Sequence, residues 1–536
     1  MPKPHQPHYT RRDMVKTAAA VALAISGSDQ SGVTQAAIAS HQVQTFPDIA
    51  SGDPERPDFH GPRVIGATPG RDFLFQVPHT GVAPLVISAS GLPRGLRMTD
   101  TGLIRGKVQT TGIYAVRLTA TNRAGSVNRR LRIVAGQHKL ALTPPMGWNS
   151  WYVYGSANTG DRTMSAADAM VKSGLSAKGY AYINLDDGWQ NGRTANGEIR
   201  PKDSFGDMKN VADYIHGRGL RFGIYSSPGP NTCAGYTGSL GHELQDAQSY
   251  ARWGVDFLKY DWCYYKRVVP HPDLQQCIRP YRIMREALDK LDRDIVFSLC
   301  QYGVGMWHVW TWGGKPPVLG NMYRISVDIA DSWSWMSSNG FDHDGPLFPF
   351  SGPGRWNDPD MLMVGYGGLG RNTSHWSWLT PHEQLTQVTL WCMLAAPLIL
   401  SCQLEKLITM EKISKFTLDM LTNTEVLAVD QDELGVQAQC VDRQAGDIEV
   451  WARPLWDGTV AVALFNRGSK TQKGHIASWN MFDPVLPRDA IPLRGSQPVR
   501  DLWKRSSLGA MRNFSIQIPI HGAILLKIGT PNFADM

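Results

Sequence analysis

The feature that most constrains this fold is an alternation of strand-like and helix-like segments between residues 140 and 432. Eight such repeats over about 290 residues are typical of a (β/α)8 barrel, whose functional side chains lie at the C-terminal ends of its strands. One helix signal is explicit, because Thr380 and Glu383 form a capping-box pattern with proline between them. We therefore predict a TIM barrel whose strand-like segments end at Trp148, Asp187, Ser226, Asp261, Cys300, Asp328, Asp360 and Ser401.

Two β-rich regions flank the predicted barrel, so the chain is expected to be multidomain. Short alternating runs separated by turn-forming residues occupy residues 45–136 and predict a β-sandwich. A similar pattern over residues 435–530 predicts an antiparallel β-sandwich that buttresses the barrel. Residues 91–106 and 118–122 resemble the immunoglobulin-like modules of bacterial surface and secreted enzymes. We interpret this module as a spacer or docking face, with sugar binding as the alternative.

The first 39 residues have the pattern of an export signal. Residues 10–16 resemble a twin-arginine signal, and the apolar run over 17–25 is too short to span a bilayer. A small-x-small cleavage site follows at 37–39. We therefore expect a periplasmic or secreted protein with no membrane partner once the signal is removed.

Charge and cysteine patterns exclude several classes of partner. The formal net charge of +7 includes no long run of Lys or Arg, so we predict no nucleic-acid partner. No C-x-x-C or H-E-x-x-H motif is present, and we predict no metal and no cofactor. Seven cysteines is an odd number, so at least one is unpaired within the chain. The sequence leaves open the pairing of Cys277, Cys300, Cys392, Cys402 and Cys440.

The strand-like stretch 255–263 carries the chemistry. Lys259, Asp261 and Cys263 occupy alternate positions and therefore share one side of a strand. An ammonium group two residues before Asp261 favours the charged carboxylate. A lone Asp after a strand is more often a loop or cap residue, but here several strand exits carry polar or aromatic groups suited to sugars. Because cleavage of a glycosidic bond needs one ionised and one protonated carboxyl group, we predict that Asp261 is the nucleophile of a retaining glycosidase.

Seven motifs of this chain occur together in one order: residues 184–189, 223–225, 233–235, 253–256, 259–263, 324–329 and 356–361. They resemble glycoside hydrolase family 27, the family of α-galactosidases and α-N-acetylgalactosaminidases. The resemblance begins at residue 143 and extends to the C-terminal β region. It implies a retaining exo-glycosidase that removes terminal α-linked galactose from oligo- or polysaccharides.

The resemblance also implies roles for individual residues. Asp261 matches the family nucleophile and Asp328 its general acid/base, and a retaining mechanism places their carboxyl groups about 5 Å apart. Cys233 and Cys263 match a family disulfide that braces the nucleophile loop. The residues that the resemblance implies for sugar binding and the polar or aromatic residues at the strand exits form one predicted set. Its members are Trp151, Asp186, Asp187, Tyr225, Lys259, Gln301, Arg324 and Asp360.

The sugar specificity rests on two parts of this set. Asp186 and Asp187 match residues that bind O4 and O6 and so select an axial O4. Gln301 stands where many family members have a Glu that helps to read O2, and an amide can still hydrogen-bond there. Tyr302 beside it is not small, as the family's galactosaminidases require. Galactose is therefore favoured, and the alternatives are an α-N-acetylgalactosaminidase, a β-L-arabinopyranosidase, an isomalto-dextran hydrolase or a non-catalytic carbohydrate-binding barrel.

Overall fold

The computed structural model describes residues 45–303, 308–315, 318–371, 373–409 and 411–532. The predicted export signal, residues 1–39, lies outside these ranges. Within them, no helix combines the length and the apolar character needed to cross a membrane.

Eight parallel strands form the centre of the fold. In chain order they are β1 Met146–Asn149, β2 Tyr182–Asn184, β3 Arg221–Ser226, β4 Phe257–Asp261, β5 Val296–Cys300, β6 Met322–Arg324, β7 Trp356–Asp358 and β8 Leu398–Leu400. Their order in the sheet is β7-β6-β5-β4-β3-β2-β1-β8. Leu362 closes the sheet, because its N–H donates to the carbonyl of Ile399 at 2.9 Å and it bridges in parallel to Leu400. The residues of these eight strands are almost all buried, as expected for a parallel sheet that is covered on both faces.

Helices surround this sheet and pack against it. Leu274–Asp289 begins with the capping box of Asp273, and Pro381–Leu394 with the predicted capping box of Thr380. The second of these helices is buried along almost its whole length. The remaining helices are Trp151–Tyr154, Gly160–Lys172, Met208–His216, Glu243–Trp253, Tyr265–Val268, Trp333–Ser337, Lys412–Leu421 and Thr424–Asp430.

The N-terminal region forms the predicted β-sandwich, referred to below as the N-terminal module. One sheet contains Val64–Ala67, Gly125–Ala135, Gly112–Asn122 and Val86–Ser90, and the other Asp72–Gln76, Leu103–Lys107 and Leu96–Met98. A short pair, Asp58–Phe59 and His79–Thr80, lies beside them. Alternate residues such as Phe73, Ile104 and Leu118 fill the space between the two sheets.

The C-terminal region is the predicted antiparallel β domain. Its larger sheet contains Gln439–Gln444, Ile448–Pro454, Val460–Asn466, Ala523–Ile528, Gln497–Asp501 and Ser506–Met511, and Gln472–Ile476 pairs with Phe514–Ile518. The domain packs on the barrel through the Phe341 ring against Trp451 and through a hydrogen bond from Trp503 Nε1 to Thr389 Oγ1 at 3.0 Å. It therefore braces the helix Pro381–Leu394, as a buttress would.

Three predicted strand ends differ from the structure by two or more residues, and those at Trp148 and Ser401 differ by one. Asp187, Asp328 and Asp360 all lie beyond their strands, which end at Asn184, Arg324 and Asp358 respectively. Asp360 leaves the ladder because its φ of 84° is left-handed. These three aspartates therefore stand on short loops at the C-terminal end of the barrel.

The capping box of Thr380 yields a stability prediction. Thr380 Oγ1 accepts from the Glu383 N–H at 3.3 Å, and Glu383 Oε2 accepts from the Thr380 N–H at 2.7 Å. Thr380→Ala removes one side of this exchange and should lower the free energy of unfolding by about 1 kcal/mol. Thr380→Ser keeps a capping hydroxyl and is the matched control in urea unfolding. Equal stability of the two variants would contradict the capping argument.

Candidate active site

A cavity of about 260 Å³ opens at the C-terminal end of the barrel. It brings together every predicted catalytic and substrate-binding residue except Gln301. The lining residues are Trp151, Tyr152, Asp186, Asp187, Tyr225, Cys233, Lys259, Asp261, Tyr302, Arg324, Val327, Asp328, Asp360 and Met361.

Asp261 lies at the end of β4 and is 9% exposed. Tyr225, from the adjacent strand β3, donates its hydroxyl to Asp261 Oδ2 at 2.9 Å. The other oxygen, Oδ1, is buried and has no hydrogen-bond partner among the described residues. One carboxylate oxygen is therefore held in place while the other is left to react.

Burial and the neighbouring cations act in opposite directions on the ionisation of Asp261. Burial raises the pKa of its carboxyl to about 6, and the nearby Lys259 lowers it only in part. The charge of Asp328 also raises this pKa, so the two carboxyl groups sense each other. Lys259 therefore favours the charged form of Asp261, as expected, but desolvation by burial outweighs it and leaves the pKa raised.

Lys259 has a different direct partner. Its Nζ lies 2.8 Å from Asp186 Oδ2, and Asn149 Nδ2 donates to the same oxygen at 2.7 Å. Asp186 Oδ1 accepts from the Asp187 N–H at 2.8 Å. Both oxygens of Asp186 therefore accept hydrogen bonds from the protein itself. Lys259 binds Asp186 directly and also acts electrostatically on Asp261.

Asp187 offers a vacant acceptor beside this network. Its Oδ2 accepts from the Ala234 N–H at 2.7 Å, whereas its buried Oδ1 has no partner among the described residues. Burial raises the pKa of this carboxyl. A buried acceptor without a donor is costly, so a hydroxyl entering the pocket would be favoured at this oxygen.

Asp328 stands at the mouth of the pocket, where its side chain is 73% exposed. Arg324 Nη2 lies 3.1 Å from Asp328 Oδ1 and 2.9 Å from Asp360 Oδ2, so one guanidinium binds two carboxylates. Partial desolvation opposes the charged form of Asp328, but Arg324 and Lys259 outweigh it and lower its pKa. In the empty pocket a proton therefore favours Asp261 over Asp328.

Asp360 is held in its left-handed conformation from several sides. Its Oδ2 also accepts from the Ile329 N–H at 2.8 Å, and its carbonyl accepts from Trp391 Nε1 at 2.8 Å. Strained backbone of this kind persists only when its surroundings hold it. This Asp thereby links the Arg324 side of the pocket to the barrel interior.

The structure does not bring Gln301 into the pocket wall. Its side chain is fully buried, Oε1 accepts from the Gly303 N–H at 3.1 Å, and Nε2 has no partner among the described residues. Tyr302, with a left-handed φ of 47°, lines the pocket instead. Tyr302 was not among the predicted sugar-binding residues, although its place two residues after the end of β5 is a signal for a lining residue. Tyr152, Val327 and Met361 were also missed, and they carry no comparable signal.

The predicted disulfide between Cys233 and Cys263 is confirmed, with the two Cα atoms 4.9 Å apart. Because both sulfurs are bonded to each other, they cannot serve beside Asp261 as thiolate ligands of a metal. The other five cysteines are free: Cys277, Cys300, Cys392, Cys402 and Cys440. Cys300 is buried beneath the pocket, 3.9 Å from Arg324 Nη1.

A larger cavity of about 370 Å³, which we term the interdomain crevice, lies elsewhere. Residues of the N-terminal module line it together with residues at the beginnings of the barrel strands, such as Met146, Arg221 and Val296. It is thus at the opposite end of the barrel from Asp261 and Asp328. Catalytic groups collect at the C-terminal ends of barrel strands, so we assign the active site to the smaller pocket.

The burial of Asp261 yields a prediction on stability. Its pKa of about 6 in the folded protein exceeds the ordinary value of 3.8, so its ionisation opposes folding as the pH rises through that interval. Asp261→Asn should therefore stabilise the protein near pH 7 by about 2 to 3 kcal/mol. The gain should shrink towards zero as the pH falls to about 4, where the unfolded chain also holds the proton.

Thermal unfolding at several pH values tests this expectation. Asp328→Asn is the matched control, because the pKa of Asp328 is lowered and its loss should bring no gain at neutral pH. A pH-independent effect of Asp261→Asn would show that packing, rather than ionisation, sets the change.

Three family models match this chain. Residues 143–432, more than half of its length, match the model described as Alpha galactosidase A. Residues 445–528 match the model described as Alpha galactosidase C-terminal beta sandwich domain, and residues 60–135 match the model described as "Putative Ig domain". The three matches correspond to the barrel, the C-terminal domain and the N-terminal module.

Individual relatives agree with the family models. The alpha-galactosidase of Coffea arabica is 42% identical over 373 residues, which cover 69% of this chain and 88% of that protein. The crystal structure of alpha-galactosidase I from Mortierella vinacea is 30% identical with a TM-score of 0.65, covering 74% of this chain and all of that one. The Saccharomyces cerevisiae alpha-galactosidase solved with raffinose has a TM-score of 0.63 at 26% identity, covering 74% of this chain and all of that one.

The match over more than half of its length and the identity to full-length relatives lead to one assignment: this chain belongs to the alpha-galactosidase A family, glycoside hydrolase family 27.

Proposed function

We propose that this protein is a retaining exo-glycosidase that hydrolyses terminal α-linked galactose from oligo- or polysaccharides by double displacement. The observation that carries this proposal is the pocket in which Asp261 and Asp328 both stand, one at the floor and one at the mouth. A cavity of about 260 Å³ suits a single sugar unit better than a long chain. Exo action on a terminal residue follows from that size.

In the first step, Asp261 Oδ1 attacks the anomeric carbon and forms a covalent glycosyl ester. The bond to the leaving oxygen breaks as Asp328 gives that oxygen its proton. The exposure of Asp328 supports its role, because the leaving group must depart through the mouth. In the second step, Asp328 takes a proton from water, the water oxygen attacks the anomeric carbon, and Asp261 is released as the carboxylate. Two inversions leave the configuration of galactose unchanged.

Substrate binding must shift the proton between the two carboxyl groups. In the empty pocket the proton favours Asp261, whereas the reaction needs Asp261 charged and Asp328 protonated. A sugar that covers Asp328 removes water from it and raises its pKa. Positive charge developing on the sugar ring stabilises ionised Asp261. Substrate binding therefore reverses the protonation order of the free protein, so that Asp261 is charged and Asp328 is protonated.

The remaining pocket residues account for recognition. We assign Asp186 and Asp187 to O4 and O6, with Asp187 Oδ1 as the vacant acceptor. Lys259, Arg324 and Asp360 bind the other hydroxyls, Trp151 walls the ring, and Tyr225 positions Asp261. Gln301 contributes through the shape of the loop after β5, because its side chain does not reach the pocket wall.

The biological setting follows from the substrate and the N-terminus. A carbohydrate with terminal α-galactose is the expected partner, and no nucleic-acid or membrane partner is proposed. The twin-arginine pattern supports export to the periplasm or the medium. A panel of aryl α- and β-glycosides separates α-galactosidase activity from the α-N-acetylgalactosaminidase, β-L-arabinopyranosidase and isomalto-dextran hydrolase alternatives.

The catalytic roles predict distinct kinetic losses. Asp261→Asn should lower kcat on an aryl α-galactoside by at least about a thousandfold, because the nucleophile is lost. Asp328→Asn should lose about 10²- to 10⁴-fold on substrates with a poor leaving group, and less on those whose leaving group needs no proton. Proton NMR should show α-galactose as the first product. A β-galactose product would contradict the retaining mechanism.

The hydrogen bond from Tyr225 predicts a pH effect. This bond lowers the pKa of Asp261, so Tyr225→Phe should raise that pKa and shift the acidic limb of kcat/KM to higher pH. Tyr302→Phe, which removes a hydroxyl from the same pocket that makes no hydrogen bond to Asp261, is the control and should leave the limb in place. An unshifted profile for Tyr225→Phe would argue against its positioning role.

A further inference from the structure

The N-terminal module concentrates positive charge. Residues 60–135 contain eleven Arg and Lys but only two Asp and no Glu, an excess of nine charges, whereas the whole chain carries +7. The rest of the chain is therefore slightly acidic. No continuous basic run marks this excess in the sequence, because strand pairing is what brings the charges together.

One sheet of the module places two arginines directly opposite each other. Arg97 and Arg105 are cross-strand partners in antiparallel register, so their side chains share one face. Both are exposed, and no carboxylate of the described residues is in salt-bridge distance of either. Lys107 lies two residues beyond Arg105 on the same face. We refer to Arg97, Arg105 and Lys107 as the basic face.

The basic face is destabilising in isolation. Like charges directly opposite each other in a sheet repel, and nothing in the described structure neutralises Arg97 and Arg105. Lys107 lies 3.5 Å from Asp72, but both side chains are more than half exposed, so this pair contributes little. A bound anion would relieve the repulsion.

The interdomain crevice continues from this face. Arg105 lines it, and Arg221 lines it from the beginning of β3. The guanidinium of Arg221 donates to the Leu74 carbonyl and to the Tyr182 hydroxyl. Three carboxylates line the crevice: Asp256 and Asp294 are paired with Arg293 at 2.5 Å and with Arg71 at 3.3 Å, and Asp72 is the exposed partner of Lys107. At about 370 Å³ the crevice is large enough for a sugar unit.

We propose that the basic face and the adjoining crevice bind a carboxylate-bearing polysaccharide. Guanidinium groups bind carboxylates through paired, charge-assisted hydrogen bonds, and two arginines side by side match repeated acidic units. The module, described over its full length, exposes no large aromatic ring on which nucleic-acid bases could stack. The choice of a polysaccharide rests on the proposed function. Since the crevice is at the opposite end of the barrel from the active site, bound polymer leaves the pocket open.

The test is binding of the full chain to polygalacturonate, measured by affinity electrophoresis and titration calorimetry at fixed ionic strength. Arg97→Glu with Arg105→Glu should weaken binding at least tenfold. The control pair, Lys473→Glu with Arg488→Glu, makes the same charge change at exposed sites of the C-terminal domain and should alter binding less than twofold. Equal losses in both pairs would overturn the proposal in favour of diffuse charge attraction. Tighter binding to duplex DNA or to anionic vesicles than to polygalacturonate would also overturn it.

Two readouts separate this proposal from misfolding and from the proposed function. Arg97→Glu alone turns a repulsive pair into an attractive one, so its melting temperature should rise while its affinity for polygalacturonate falls. A lower melting temperature would contradict the repulsion argument. Hydrolysis of an aryl α-galactoside should be unchanged within twofold in the double variant. An inactive wild type would reject the proposed function, whereas the polygalacturonate titration decides the basic face by itself.

Discussion

Two cations among the carboxylates allow the mouth of the barrel to be as acidic as it is. Five aspartates line the pocket, and Lys259 and Arg324 are interleaved among them. Lys259 binds Asp186, while Arg324 binds Asp328 and Asp360 together. Without these contacts the carboxylates would repel one another in a weakly solvated space, and most would take up protons.

The positions of Lys259 and Arg324 also determine which of the two carboxyl groups, Asp261 or Asp328, has the higher pKa. Asp261 has neither cation as a direct partner, so burial dominates its environment and raises its pKa. Asp328 has a direct cation and remains more acidic. Asp328 contacts a cation directly and Asp261 does not, and this gives two chemically identical side chains different pKa values. The enclosing architecture, including the disulfide of Cys233 and Cys263, keeps these distances constant.

Much of the fold could be predicted from local patterns. The strand ending at Asp261 and the helix capped by Thr380 are where the sequence indicates, because apolar periodicity and capping chemistry are local properties. Cys233 and Cys263 were paired from a family resemblance rather than from spacing. Contacts between residues on different strands of the barrel were harder to predict from the sequence. The direct partner of Lys259 is Asp186, which follows β2 and is far away in sequence, and alternation along β4 alone does not reveal it.

Energetic balances and backbone details were beyond the sequence. That desolvation outweighs Lys259 at Asp261 depends on the full packing around that carboxyl. The inward burial of Gln301 and the turn of Tyr302 into the pocket depend on left-handed backbone at Tyr302, which no local pattern announces. The left-handed φ of Asp360 is similar, since it is held by donors from two distant segments, one around Arg324 and Ile329 and the other at Trp391.

The closure of the barrel has a mechanical consequence. Between β7 and β8 the ladder is reduced to the bridge made by Leu362, whereas β3 and β4 are paired continuously from Gly223 to Ser226. In a ring of eight strands, the β3–β4 boundary is diametrically opposite this seam. Thermal opening of the barrel would begin between β7 and β8, and amide exchange would be fastest there. The hydrogen bond from Tyr225 to Asp261 Oδ2 spans the β3–β4 boundary, so the Asp261 carboxylate is anchored at the point of the ring that such opening disturbs least.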